Sequence, residues 1–215
     1  MRDHDHLTGK FRGAAHSNCN LNLKQSFKIP IFFHNLRGYD GHLIARATEH
    51  FPNKKIHIIG QAYEEYLVIG FGPHMIFKDS YQFMAYSLEQ LCKELANSGA
   101  ERFVHLKKQF PSLQQDQLQL LLRKGVYPYE FMNDWDKLAL PNLTSRAEFF
   151  NSIKQEECSE GDYAHAQKMW NLFECRTMQD YMNLYLKTDV LILADVFENF
   201  RRFSLEHSDS IRPIM

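Results

Sequence analysis

The sequence lacks any long apolar run. No stretch approaches the roughly 20 consecutive apolar residues that a membrane-spanning helix needs. The opening segment MRDHDHLTGK is also too charged to be the apolar core of a signal peptide. These absences predict an intracellular protein that does not use a membrane, and they leave nucleus and cytoplasm equally open.

The sequence has few cysteines and no excess of positive or negative charge. The four cysteines form no CxxC pair, so neither a disulfide framework nor a self-contained zinc knuckle is predicted. The 25 Lys and Arg residues nearly cancel the 26 Asp and Glu residues, which argues against a surface that binds polyanions over its whole extent. The first 28 residues nevertheless hold five basic and two acidic side chains, so a local basic surface is expected there.

The order of the apolar patterns predicts an α/β fold. A continuous β-type run, Ile29–Phe33, leads through a glycine-containing turn into a helical pattern at 42–50. Three β-rich runs follow at 55–59, 66–71 and 74–78, and helical patterns follow at 87–97, 112–123, 145–156, 162–173 and 178–206. We therefore expect a mixed sheet with a helical C-terminal part, and a boundary between residues 27 and 28.

The N-terminal segment concentrates side chains that can bind metal. Its string DHDHLTGKFRGAAHSNCNLNL contains alternating Asp and His residues, and His16 and Cys19 stand at a spacing that can hold one side of a zinc ion. A closed structural zinc site needs four ligands, so only half a site is visible and weak zinc binding is expected. A solvated polar turn explains the same residues equally well.

This string resembles the endonuclease VII type of HNH-like nuclease segment. In that family one CxxC pair precedes the Asp-His segment and a second pair follows it. His16 and Cys19 match the second pair, whereas the first pair is missing here. The resemblance implies an incomplete Zn²⁺ site within residues 1–27.

The next segment, FHNLRGYDG, resembles the second exonuclease motif of protein-primed family B DNA polymerases, the organellar, viral and Maverick-type mobile-element group. The resemblance implies that Asp40 binds a catalytic metal ion. It also implies that Asn35 and Tyr39 contact a single-stranded primer end. The alternative is that Asp40 only caps the following helix.

The segment YLKTD resembles the third exonuclease motif of the same polymerases. The i,i+4 spacing places Tyr185 and Asp189 on one face of a helix. The resemblance implies that Asp189 binds metal and that Tyr185 orients the attacking water. The alternative is an ordinary amphipathic helix in which Asp189 is solvated.

Two shorter stretches agree with this family. KDSY resembles a segment whose serine hydroxyl contacts DNA, which implies that role for Ser80. KGVY resembles an element near the exonuclease site, which implies that Lys124 neutralises the scissile phosphate. Either residue could instead be an ordinary surface position.

The resemblance implies a ribonuclease H-like 3′-5′ exonuclease domain with a mixed sheet, at residues 28–207, between the N-terminal segment and a tail at 208–215. Two features of the family are missing. No Asp-x-Glu pair precedes Asp40, and no palm motifs follow Asp189. We therefore expect a fragment of a DNA-directed DNA polymerase that lacks its first strands and is inactive by itself.

The implied cofactor is Mg²⁺ or Mn²⁺, held by Asp40 and Asp189 with carboxyl groups within about 8 Å of each other. The implied partners are DNA, the remainder of the polymerase chain and a terminal protein primer. Two alternatives stay open: an HNH-type DNA endonuclease using Asp3, His4, His6 and Asn20, and a catalytically dead DNA-binding remnant of a mobile element.

Overall fold

A computed structural model of the chain describes residues 2–4, 9–17, 28–62, 65–152 and 155–208. The chain divides into two compact units, Met1–Ala85 and Tyr86–Met215. This division falls inside the segment that the sequence predicts to be one domain. The predicted boundaries at 27/28 and 207/208 stay predictions.

The described residues of the N-terminal unit form two sheets. Strands β1 (Arg2–His4) and β2 (Phe11–Ala14) pair antiparallel, and the Arg12 guanidinium donates to the Asp3 carboxylate at 2.9 Å. This small sheet was not predicted from the sequence.

The larger sheet of this unit has four strands in the order β3-β6-β5-β4. Strand β3 (Ile29–Phe33) pairs parallel with β6 (Met75–Asp79), and the pairs β6 with β5 (Glu65–Phe71) and β5 with β4 (Ile56–Ala62) are antiparallel. Helix α1 (Asp40–Ala47) follows β3. The sheet is therefore mixed, as predicted, and β3 forms one edge of its described part.

The C-terminal unit is helical in its described ranges. Its helices are α2 (Leu88–Asn97), α3 (Val104–Gln109), α4 (Gln115–Leu122), α5 (Glu160–Leu172) and α6 (Met178–Ser208). The hydroxyl of Ser87 caps α2 and that of Ser159 caps α5, each by accepting a backbone N–H three residues later. Fully buried side chains include Phe103, Leu106 and Met178.

The predicted mixed α/β fold with a helical C-terminal part is confirmed. One element is wrong: the segment 145–156 forms only a short 3₁₀ turn, Arg146–Phe149, followed by a bridge between Asn151 and Glu156. Helix α3 was not predicted. No helix in the described ranges is long and apolar enough to cross a membrane.

Candidate active site

Tyr185 and Asp189 face the same side of α6, one helical turn apart. The i,i+4 spacing brings the Tyr185 hydroxyl close enough to the Asp189 carboxylate to influence its ionisation. Asp189 is partly buried, and this burial raises the pKa of its carboxyl group above the ordinary value. The neighbouring Tyr185 hydroxyl and the positive charge of Lys124 act on this pKa in the opposite direction. Asp189 is therefore only partly exposed to solvent.

A second tyrosine extends this pair. The hydroxyl oxygens of Tyr129 and Tyr185 lie 2.6 Å apart. Either hydroxyl can be the donor of this hydrogen bond. Burial, and then the bond with Tyr129, raise the pKa of the Tyr185 phenol, which keeps it protonated as a donor. Sequence reasoning missed Tyr129, because only the folded chain shows its contact.

The segment that carries Tyr129 is packed tightly against α6. Tyr127 stacks on Tyr185, with ring centroids 5.4 Å apart and an interplanar angle of 28°. A Cβ atom at Gly125 would lie 2.7 Å from Cδ2 of Tyr185, closer than a real side chain can approach. The hydroxyl of Tyr181 donates to the carbonyl of Val126 at 2.7 Å. Glycine at position 125 is therefore needed for Tyr185 to occupy its place.

Lys124 contributes a positive charge beside this pair. It is exposed, and it lines a cleft of about 130 Å³ together with Glu89, Tyr185 and Asp189. The cleft thus combines two carboxylates, one phenol hydroxyl, one ammonium group and the guanidinium of Arg123. This is a set that can bind a divalent cation and a phosphate group.

The predicted DNA-contacting residues of the N-terminal unit lie in the turn between β3 and α1. Asn35 is exposed and adopts a left-handed backbone conformation with φ of 70°, which asparagine tolerates better than most residues. Tyr39 is 69% exposed, so its ring is accessible for stacking. Asp40 begins α1, and no side chain caps that helix. Burial, followed by the negative charge of Asp79, raises the pKa of Asp40 despite a backbone hydrogen bond that lowers it.

Asp79 holds this turn in place. Its buried carboxylate accepts three backbone N–H groups, from Asn35 at 2.9 Å, Arg37 at 3.3 Å and Tyr81 at 2.9 Å. Ser80 beside it is fully buried, and its hydroxyl donates to the carbonyl of Phe33 at 2.9 Å. This burial differs from the exposed position that a direct DNA contact would require. Through this hydrogen bond, Ser80 links the end of β6 to β3.

Two metal sites were predicted, one at Asp40 and Asp189 and one in the N-terminal segment. Asp40 and Asp189 belong to two units that are described separately, so their sharing of a metal pair stays a prediction. No group of three or more His, Cys, Asp and Glu side chains that could hold a metal ion occurs among the described residues. His16 is exposed. Cys19, His6 and Asn20 lie outside the described residues, so the zinc site and the endonuclease alternative stay predictions.

Comparison with known proteins gives one family. The model for DNA polymerase type B, organellar and viral, matches residues 20–208. No curated protein and no solved structure matches. The match includes the β3–α1 turn, the Lys124 segment and α6.

Proposed function

The chain belongs to the organellar and viral type B DNA polymerases, and we propose that it is the region of such a polymerase that carries 3′-5′ proofreading exonuclease activity. The observation that carries this proposal is the pair of Tyr185 and Asp189 on one face of α6, which lines one cleft with Lys124. The substrate is the 3′ end of single-stranded DNA, and the reaction is hydrolysis of its last phosphodiester bond.

Four side chains in or beside the cleft have distinct tasks in this reaction. The Asp189 carboxylate binds the divalent cation. Tyr185, kept protonated by burial, contacts the attacking water and orients it. Tyr129 fixes the position of the Tyr185 hydroxyl. The Lys124 ammonium offsets the negative charge that develops on the scissile phosphate.

The residues of the cleft fit Mg²⁺ or Mn²⁺. Both ions prefer carboxylate oxygens, and Mg²⁺ is usually held by one or two carboxylates together with substrate phosphates. Asp189 supplies such a carboxylate in the described part of the C-terminal unit. When bound, the ion polarises the scissile phosphate.

The turn between β3 and α1 supplies the DNA-binding groups of the N-terminal unit. The exposed ring of Tyr39 stacks on a base, and the exposed amide of Asn35 forms hydrogen bonds with the strand. Asp40 contributes a second metal-binding carboxylate. The wider expectations, a terminal protein primer, the remaining polymerase domains and a mobile-element origin, belong to this proposal as well.

A metal-binding experiment tests the proposal. Mn²⁺ affinity of the chain is measured by the loss of the free-ion electron paramagnetic resonance signal during titration. We expect Asp189→Ala to weaken binding by about tenfold or more. Glu198→Gln is the matched control, because Glu198 is a carboxylate on the same helix that pairs with Arg201. Equal Mn²⁺ affinity in both variants would contradict the proposal.

Hydrolysis is expected to be slow in the chain by itself. Only Asp40 and Asp189 match the metal-binding carboxylates of the family, and two-metal hydrolysis needs carboxylates that bracket both ions. The assay follows a 3′-labelled single strand with Mn²⁺ and compares the chain with Asp40→Ala and Asp189→Ala. We expect no robust digestion by any of the three. Robust digestion that both substitutions abolish would show that the chain carries a complete site.

A further inference from the structure

His165, on α5, is a buried polar residue to which the proposed reaction assigns no task. Its side chain is 3% exposed, and neither ring nitrogen has a hydrogen-bond partner within the described part of the chain. Buried polar groups in native proteins almost always have a partner, either in the protein or in an ordered water. An imidazole with two unsatisfied nitrogens is therefore an arrangement that requires an explanation.

The surroundings of His165 provide a place for such a partner. The imidazole lines a small cavity of about 20 Å³, and Tyr185, Thr188 and Asp189 line it as well. One water molecule needs about 10–15 Å³ of such volume and two to four polar partners. The cavity thus has room for a single water, between the histidine and the two residues of the proposed active site.

Of the polar groups that line the cavity, the Asp189 carboxylate has the largest remaining capacity to accept a hydrogen bond. The Arg123 guanidinium is bound to Asp162 at 2.6 Å. The Thr188 hydroxyl already donates to the carbonyl of Leu184 at 2.8 Å. A carboxylate has about four acceptor positions, and the neighbouring Tyr185 hydroxyl can use only one of them.

We propose that His165 is a positioning residue, which holds one buried water that in turn donates a hydrogen bond to the Asp189 carboxylate. The water satisfies one ring nitrogen of the imidazole and holds the carboxylate from within the cavity. The functional meaning of this arrangement rests on the proposed function, because it orients the carboxylate that binds the metal. Outer hydrogen-bond partners of this kind commonly tune metal ligands.

A double-mutant cycle on the intact chain tests the inference without DNA or metal. The unfolding equilibrium constant is measured in urea for His165→Leu, Asp189→Ala and the double variant. We expect a coupling of about tenfold between the two positions. The control cycle replaces His165→Leu by Met169→Leu, a volume-conserving change in the same cavity lining, and its coupling should stay within about twofold of additivity.

Two further measurements test the role of His165 independently of this cycle. His165→Gln retains a donor and an acceptor, so it should recover at least half of the stability that His165→Leu loses. In nuclear magnetic resonance, the ring protons of His165 should show cross-relaxation with a water that stays bound longer than the tumbling time of the protein. A His165→Leu variant as stable as the native chain, or the absence of bound-water cross-relaxation, would overturn the inference. Such a failure would leave the proposed function standing, because neither measurement involves metal or DNA.

Discussion

The hydroxyl oxygens of Tyr129 and Tyr185 lie 2.6 Å apart although the two residues are 56 positions apart in the sequence. Tyr129 lies in an irregular segment and Tyr185 on the last helix. Their contact links that segment to the carboxylate of Asp189 through a single phenol hydroxyl. Substitutions at these positions therefore separate the role of the hydroxyl from that of the ring.

Tyr185→Phe should cost more stability than Tyr129→Phe. The first change removes the partner of both Tyr129 and Asp189, whereas Tyr129 is 65% exposed and water can replace its bond. We expect a loss of about 1–2 kcal/mol for Tyr185→Phe and less than about 1 kcal/mol for Tyr129→Phe in urea unfolding. Tyr127→Phe is the control, because its ring stacks on Tyr185. A loss of stability for Tyr129→Phe equal to that for Tyr185→Phe would contradict the larger contribution expected of the Tyr185 hydroxyl.

Gly125→Ala should displace the ring of Tyr185. The added methyl group would overlap Cδ2 of that ring at 2.7 Å, and such overpacking typically costs about 1–3 kcal/mol. Gly161→Ala is the matched control on α5, where a Cβ atom has only the Ser159 hydroxyl nearby, at 3.9 Å. There the change should be neutral or stabilising by about 0.5–1 kcal/mol. Thermal unfolding of both variants measures the contrast, and equal effects would contradict the close approach.

Asp79→Ala should destabilise the N-terminal unit strongly. The change leaves three buried or partly buried backbone N–H groups without their acceptor, at a cost of about 3 kcal/mol. Asp180→Ala is the comparison, because Asp180 also accepts backbone N–H groups, from Arg176 and Thr177, but is exposed to water. Its loss should be clearly smaller. Hydrogen exchange at the amides of Asn35 and Arg37 should accelerate in Asp79→Ala and remain unchanged in Asp180→Ala.

The ionisation of Asp189 should oppose folding at neutral pH. Burial raises the pKa of this carboxyl group in the folded chain above its ordinary value of 3.8. The folded state therefore binds more protons than the unfolded state in the pH range between these two pKa values. The free energy of unfolding consequently falls as pH rises through that range.

Asp189→Asn removes this charge and retains an acceptor for Tyr185. At pH 7 the variant should be more stable than the native chain, and the difference should shrink as pH falls toward 3.8 and stay constant below that value. Urea unfolding at several pH values checks this prediction. A stability difference that does not change with pH would show that Asp189 ionises normally in the folded chain.

Local patterns in the sequence were sufficient for most of the fold. The apolar run Ile29–Phe33 was predicted with the bounds that the structure gives it, and helix α2 lies within its predicted range 87–97, with Ser87 as its cap. Helix α3 was missed because its N-terminal amides, at His105 and Leu106, are capped by the Asp195 carboxylate, about 90 positions away. No local residue indicates that partner.

The wrong helix at 145–156 has a similar cause. Ser145 and Glu148 form a capping box that starts a helical turn. The amide of Ser152 then donates to the Glu130 carboxylate at 2.6 Å instead of continuing the helix.

The candidate site was also only partly predictable from the sequence. Spacing predicted that Tyr185 and Asp189 share a helix face, but the contacts of Tyr129 and Gly125 depend on how distant segments pack.

Metal-dependent binding of single-stranded DNA tests the central claim, that Asp189 belongs to a nuclease site of a polymerase. Fluorescence anisotropy of a short 3′-hydroxyl single strand is measured with and without Mn²⁺ for the native chain, Asp189→Asn and Glu198→Gln. We predict that Mn²⁺ strengthens binding to the native chain and to Glu198→Gln by about fivefold or more, and has no effect on Asp189→Asn. An equal effect of Mn²⁺ on Asp189→Asn would contradict the claim.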